Sequence, residues 1–243
     1  MVSEDTNKVV LERKRGRPRV PLSRIVDEAL ALIDSEGPEA LSMRTLAGRL
    51  GTGTAVLYRA VSNRDELIAM VIDSVIGGTD FDFSTEPDEV ESLGDERWKR
   101  TCAGAATALY DALARHPGVA SLLVEQIPTG PNASVVRERM LALLLASGFS
   151  PADAALVFVM LSRFVIGFAA QLRAEVALRN VDPAAMQQMF SALPVESFPS
   201  TVAVADSLPH QTLDGGFRFA LSILVEGLAG RRRGRMEVAG RGH

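Results

Sequence analysis

The tightest constraint on this chain is residues 42–66, SMRTLAGRLGTGTAVLYRAVSNRDE, where two short helical patterns flank Gly51-Thr52-Gly53. Met43, Leu46, Ala47 and Leu50 fall at i, i+3, i+4 and i+7, one apolar helix face, with Ser42 as cap and Gly51 as stop. A very short second helix holds Leu57, Ala60 and Val61. Upstream, Leu22, Ile25, Val26, Ala29, Leu30 and Ile33 make a longer stripe, opened by Ser23 and ended by Gly37-Pro38. Downstream, Asn63 and Glu66 have capping-box spacing ahead of Ile68, Val71, Ile72 and Val75, and Gly77-Gly78 ends the run. The expectation is a cluster of short helices packed on one another.

Two helices around a tight turn have helix-turn-helix geometry, in which the second helix enters a major groove. With Leu57 and Val61 packed inward, Thr54, Ala55, Tyr58 and Arg59 are left on the outer side. Small residues let a helix approach DNA closely, and Thr or Ala methyls suit a thymine methyl. Tyr58 suits a phosphate or a sugar, Arg44 a base or the backbone, and Arg64 a phosphate at the start of the fourth helix. As a nucleotide loop, Gly51-Thr52-Gly53 lacks a third glycine and a preceding strand.

Charge is partitioned in the same sense. Residues 13–64 carry 10 Lys/Arg against 5 Asp/Glu, although the whole chain has a formal net charge of −4. Local field, not overall charge, decides nucleic-acid binding. Arg15, Arg17 and Arg19 stand in Arg-Gly-Arg-Pro-Arg, the core of an AT-hook whose arginines enter a narrow A·T minor groove; a solvated basic tail is the other reading. Residues 80–96 hold 8 acidic residues and no basic one, which marks a solvated connector and a domain boundary. The single Cys102 forms no internal disulfide, which together with the absence of an apolar leader points to a soluble, cytoplasmic protein. The most apolar stretch, residues 154–170, is broken by Ser162 and Arg163, so no membrane partner is expected.

The elements Ser42, Leu46-Ala47, Leu50-Gly51, Leu57-Tyr58 and Arg64-Asp65-Glu66-Leu67 resemble the signature of the TetR family of bacterial transcriptional repressors. That resemblance covers residues 20–78 and implies that Arg44, Thr54, Ala55, Tyr58 and Arg64 face DNA while Leu57 is core. The family's usual Tyr-Arg-His-Phe reads Tyr58-Arg59-Ala60-Val61 here. The implied fold is all-α: an N-terminal three-helix helix-turn-helix domain and a larger helical ligand-binding and dimerisation domain. The expected divisions are a basic flexible arm at 1–22, the DNA-binding domain at 23–78, an acidic linker at 79–96, the effector domain at 97–230 and a disordered basic tail at 231–243.

Within the effector region, helical patterns are expected over 95–115, 119–127, 134–146, 151–179, 183–192 and 211–230, with 195–209 a loop. The last helix carries Phe217, Ala220, Leu221, Leu224, Val225 and Leu228 on one stripe, and the resemblance implies that it joins the helix at 154–179 in a homodimer bundle. The same stripe also fits an intramolecular core. A two-fold dimer presents its reading helices about 34–36 Å apart on a pseudo-palindromic operator.

The family also implies a small-molecule inducer, of hydrophobic character. Candidate contacts are Trp98, Thr101, Tyr110, His116, Gln126, Phe158, Arg163, Phe164, Phe168 and Gln171. Arg163 sits in an apolar helix and needs a partner: a ligand acid, Glu125, Glu175 or the second subunit. Residues 109–171, with HPGVASLL, ASGFSPADA and SRFVIGFAAQ, resemble the tetracycline-repressor subgroup. In that alignment the metal-ligating His becomes Leu123 and the Glu behind the metal becomes Gln171, so no metal or cofactor is expected. Catalytic motifs are absent from the sequence, and an enzyme is not expected. The competing expectation is a helical small-molecule-binding or scaffold protein without regulatory DNA binding.

Overall fold

The computed structural model describes residues 20–83, 94–178 and 182–240; every regular element among them is helical. The first helices are α1 (Leu22–Glu36), a 3-10 turn (Pro38–Ala40), α2 (Met43–Arg49), α3 (Thr54–Tyr58) and α4 (Arg64–Gly77). They form because their apolar stripes close on one another: Ile25, Val26, Ala29, Leu32 and Ile33 of α1 meet Leu46 and Ala47 of α2 and Leu67, Ile68, Val71 and Ile72 of α4 in one core. Ser42 Oγ accepts the Thr45 N–H at 3.0 Å and Asn63 Oδ1 accepts the Glu66 N–H at 2.8 Å, so both expected caps form. Glu66 reaches back to the N–H of Ser62 at 2.6 Å rather than to that of Asn63. Ser23 does not cap α1; the helix opens two residues earlier, with Pro21 at the cap position.

The second group is α5 (Gly94–Arg115), α6 (Pro117–Leu122), α7 (Pro131–Ala146), α8 (Pro151–Ala169), α9 (Leu172–Leu178), α10 (Pro183–Ser191), α11 (Pro199–Ala203) and α12 (Leu213–Gly240). Four features differ from the sequence expectation. The helix expected over 119–127 is the shorter α6, Pro117–Leu122. The helix expected over 151–179 breaks at Ala170-Gln171 into α8 and α9. The expected loop at 195–209 contains α11 and a 3-10 turn, Leu208–His210. The last helix does not stop at Gly230; residues 231–240, expected as a disordered tail, continue α12.

The two groups share one hydrophobic core running from Ile25 to Ala229. Gly118 of α6 lies against the end of α1, and a Cβ there would sit 2.6 Å from Ile33 Cγ2 and 3.0 Å from the Ile33 carbonyl oxygen. Asp73, buried in α4, accepts from Asn132 Nδ2 at 3.0 Å and from the Ala133 N–H at 2.9 Å, which satisfies the first turn of α7. His116 Nδ1 lies 2.8 Å from Asp34 Oδ2 in α1, and Arg173 of α9 pairs with Glu39 at 2.9 Å. The connector is anchored at its start, where Thr79 Oγ1 donates to the Val75 carbonyl, Phe81 stacks with Phe83 and Arg139 lies over the Phe83 ring.

Residues 151–175 are long and apolar enough to cross a membrane by length and composition alone. The apolar ones serve two faces. Ala154, Val157, Leu161, Val165 and Ala169 are buried in the core, whereas Leu156 and Val159 are exposed. Of the stripe that the sequence offered for dimerisation, Phe217, Leu221 and Val225 are buried within the chain, whereas Ala220, Leu224 and Leu228 are half-buried. The exposed apolar face of α12 is instead Phe219 and Ile223.

Because a methyl group on Gly118 would overlap Ile33, Gly118→Ala should lower stability by about 1–3 kcal/mol, read from the urea midpoint. An unchanged midpoint would show that α6 does not rest on α1 at this point.

Candidate functional site

Five residues are too few for a helix to stand alone in water. α3 is held by Leu57, its one buried side chain, and by Val61 just beyond it. Gly51 supplies the turn, with φ +63°, a conformation that favours glycine. With Leu57 inward, Thr54, Ala55, Tyr58 and Arg59 are all exposed, and Arg44 and Thr45 are exposed on α2 beside them. The structure therefore brings five of the expected DNA-facing residues to the surface: Arg44, Thr54, Ala55, Tyr58 and Arg59. Thr45 was missed, because its hydroxyl lies 2.8 Å from Ser42 Oγ and reads in the sequence as part of the cap.

Arg64 is a correction. Its Nε donates to the Leu41 carbonyl at 2.8 Å and its terminal nitrogen to the Pro38 carbonyl at 2.9 Å, so the half-buried guanidinium ties the start of α4 to the turn before α2. Those carbonyls lie more than twenty residues upstream, out of reach of any local pattern. Arg49 is similarly occupied, held by Glu28 at 2.6 Å and Glu36 at 3.1 Å. Arg15, Arg17 and Arg19 lie outside the described residues.

The ten effector candidates do not form one lining. Tyr110 stacks on Phe217 with centroids 4.0 Å apart and planes 9° apart; Phe164 lies 5.4 Å and Phe168 5.6 Å from Phe217. Phe217 was missed because the sequence read it as part of the dimer stripe. Trp98 is a separate centre, edge-on to Phe149 at 5.0 Å and twelve residues before Tyr110 on α5, roughly 18 Å along the axis. Thr101, Gln126 and Phe158 are half-buried, and Gln171 is exposed with its amide on the Gly167 carbonyl. His116 is engaged with Asp34 at the joint to α1. Arg163 is exposed on the outer stripe of α8 with Val159 and Gly167, and it pairs with neither Glu125 nor Glu175.

Among the described residues, two buried polar atoms in this region have no hydrogen-bond partner: Trp98 Nε1 and Tyr110 Oη. Burial pushes the Tyr110 hydroxyl up to about 12, with Asp214, Glu175 and Asp111 adding to the shift. Burial also pushes the Cys102 thiol up to about 12, which leaves it inert as a nucleophile. Among the described residues, no group of three His, Cys, Asp or Glu side chains could hold a metal ion.

Two family models match the chain: "Bacterial regulatory proteins, tetR family" over residues 25–71 and "Tetracyclin repressor-like, C-terminal domain" over residues 91–232. An HTH-type transcriptional regulator of Saccharopolyspora erythraea is 31% identical over 173 residues, covering 71% of this chain and 68% of that protein. The HTH-type transcriptional repressor DrrR1 of Streptomyces coeruleorubidus is 30% identical over 153 residues, 63% of this chain; the match spans about half, 54%, of that relative. Among solved structures, ActR from Streptomyces coelicolor in complex with (S)-DNPA superposes with a TM-score of 0.76 at 32% identity, covering 88% of this chain and 99% of that one. ActR in complex with actinorhodin gives 0.76 at 31% identity, covering 88% and 98%.

Arg64→Ala removes the side-chain donor from the Leu41 carbonyl and one of the two donors from the Pro38 carbonyl, which keeps the Leu41 N–H, and should cost about 1–3 kcal/mol of stability, whereas Arg44→Ala should change it by less than about 0.5 kcal/mol. Chemical denaturation of the two variants decides the point. Equal, small effects would return Arg64 to the outer face.

Proposed function

The chain belongs to the tetR family of bacterial regulatory proteins, and on that premise we propose that it is a ligand-responsive repressor that grips a pseudo-palindromic operator as a homodimer. The observation that carries this reading is the exposure of Thr54, Ala55, Tyr58 and Arg59 around a single buried anchor, Leu57. α3 lies in the major groove, Thr54 and Ala55 meet base edges, and Tyr58, Arg59 and Arg44 hold the phosphates. Arg15, Arg17 and Arg19 enter the neighbouring minor groove. The protein works in the cytoplasm, where its DNA lies.

The outer faces of α8 and α12 supply the dimer contact. Leu156 and Val159 on one helix and Phe219 and Ile223 on the other are exposed on a single chain and need an apolar cover. A two-fold axis there sets the separation of the two α3 helices.

Release follows from the joints between head and effector region. A ligand that moves α5, α8 or α12 carries α6, α7 and α9 with it, and these are tied to the head at Gly118, Asp73, His116 and Arg173. A preference of the ligand for the non-binding arrangement by ~3 kcal/mol lowers operator affinity by about 100-fold or more once the ligand saturates. ActR, whose solved complexes hold actinorhodin and (S)-DNPA, supports a small organic molecule in that role.

The test is a gel-shift titration against the DNA flanking the gene, with a screen of small organic compounds for operator release. Tyr58→Ala and Arg44→Ala should each weaken specific binding about tenfold or more while the dimer persists in sedimentation. Removing the arm should lower the log–log salt slope by about 0.9 for each phosphate that its arginines neutralise. Indifference of binding to both head substitutions sinks the repressor reading.

A further inference from the structure

We infer that Arg163 pairs with Glu226 of the partner subunit, and that this ion pair, made twice in a two-fold dimer, fixes the register of the two chains. This rests on the homodimer reading above and adds the two side chains by which the face recognises a second copy of itself.

The two outer faces are apolar, and each carries one charge, of opposite sign. Leu156, Val159 and Arg163 stand at i, i+3 and i+7 on α8, and all three are exposed. Phe219, Ile223 and Glu226 stand at i, i+4 and i+7 on α12 and are exposed as well. Arg163 has no hydrogen-bond or ion-pair partner among the described residues. Covering the apolar side chains takes its guanidinium out of water too, and a charge buried without a partner is costly. Glu226 accepts from the buried Lys99 at 3.1 Å and 3.0 Å, yet its side chain stays 64% exposed, so its outward lone pairs are open to a second donor. The other acids of these helices among the described residues are engaged: Asp214 with Arg218, and Asp153 with the Ser150 hydroxyl.

Heights along the helices decide how two copies meet. Lys99 meets Glu226 and Asp111 meets Arg218, so α5 and α12 run antiparallel. Trp98 packs on Phe149, just before α8, while Phe164 and Phe168 share Phe217 with Tyr110, so α8 runs with α5 and against α12. From the level of Phe217, Glu226 lies roughly 14 Å along α12 and Arg163 roughly 5 Å in the same direction along α8, a difference of about 9 Å. Val159 and Ile223 stand about midway between those two levels. A two-fold axis that crosses the helices there exchanges the levels: Arg163 comes level with Glu226 of the partner subunit on both sides of a shared apolar centre. An axis along the helices keeps every charge at its own height and sets Arg163 among the apolar residues around Phe219. Charge complementarity therefore selects the crossing axis, and a slip of the helices breaks both pairs at once.

The test uses the full-length protein without DNA. Arg163→Cys and Glu226→Cys chains are co-expressed and oxidised; the native Cys102 is buried and does not compete. The mixture should give a disulfide-linked dimer on a non-reducing gel. Arg163→Cys alone should give none, because the two copies of position 163 then stand about 9 Å apart in height. Independently, Arg163→Gln and Glu226→Gln should each raise the dimer Kd about tenfold in sedimentation, and the double variant should rise little beyond either single one. A crosslink in Arg163→Cys alone overturns the inference. So does the absence of a crosslink in a mixture that sediments as a dimer, or full additivity of the two glutamine substitutions. In each of those outcomes the homodimer reading stands; if the unaltered chain sediments as a monomer at micromolar concentration, that reading falls with the inference.

Discussion

What α3 can present to DNA depends on where Leu57 goes. α3 has five residues and cannot hold its own hydrogen-bonded turns against solvent, so its persistence is a tertiary effect. Leu57 is fully buried and Val61 nearly so, and those two side chains fix both the rotation and the height of the helix on the head. The cost of ordering so short a segment is met by α1, α2 and α4, whose stripes close around Leu57. The outer residues Thr54, Ala55, Tyr58 and Arg59 therefore take no part in stability and are free to be chosen for chemistry.

The head is not an independent bead on a string. Its core is continuous with that of the effector region, and the places where the two meet are of different physical kinds. Gly118 against Ile33 is a steric contact with no slack, and Asp73 is a buried acceptor that only the first turn of α7 satisfies. His116–Asp34 is a more exposed hydrogen bond, and Arg173–Glu39 is an exposed ion pair that screening weakens. The first two set the geometry of the joint. The second two cost less to break.

What the sequence makes legible follows from the range of the forces involved. Apolar stripes and the Ser42 and Asn63 caps are local, and they place α1 to α4 to within a residue or two. The fate of Arg64 is not local: its partners, the Leu41 and Pro38 carbonyls, arrive only once α4 has docked. The break at Ala170-Gln171 leaves the apolar pattern uninterrupted, and nothing in residues 154–179 announces it. The stripe of α12 was legible as apolar, but whether Phe217 faces its own chain or a second one depends on which neighbour arrives first in space. The effector candidates suffered most. Residues chosen for aromatic or polar character sort into two centres, at Trp98 and at Tyr110, only when the length of α5 separates them.

That separation bears on how binding and release are coupled. Of the two centres, Tyr110 is the nearer to the head, less than two turns of α5 before His116, which contacts α1. The Glu175 that faces it stands on α9, two residues after the Arg173 that pairs with Glu39. Both walls of the aromatic cluster thus end on residues that hold the head in place. The parts of the effector core that carry Tyr110 and Glu175 therefore run directly into the residues that meet Asp34 and Glu39, whereas Trp98 lies roughly 18 Å farther back along α5.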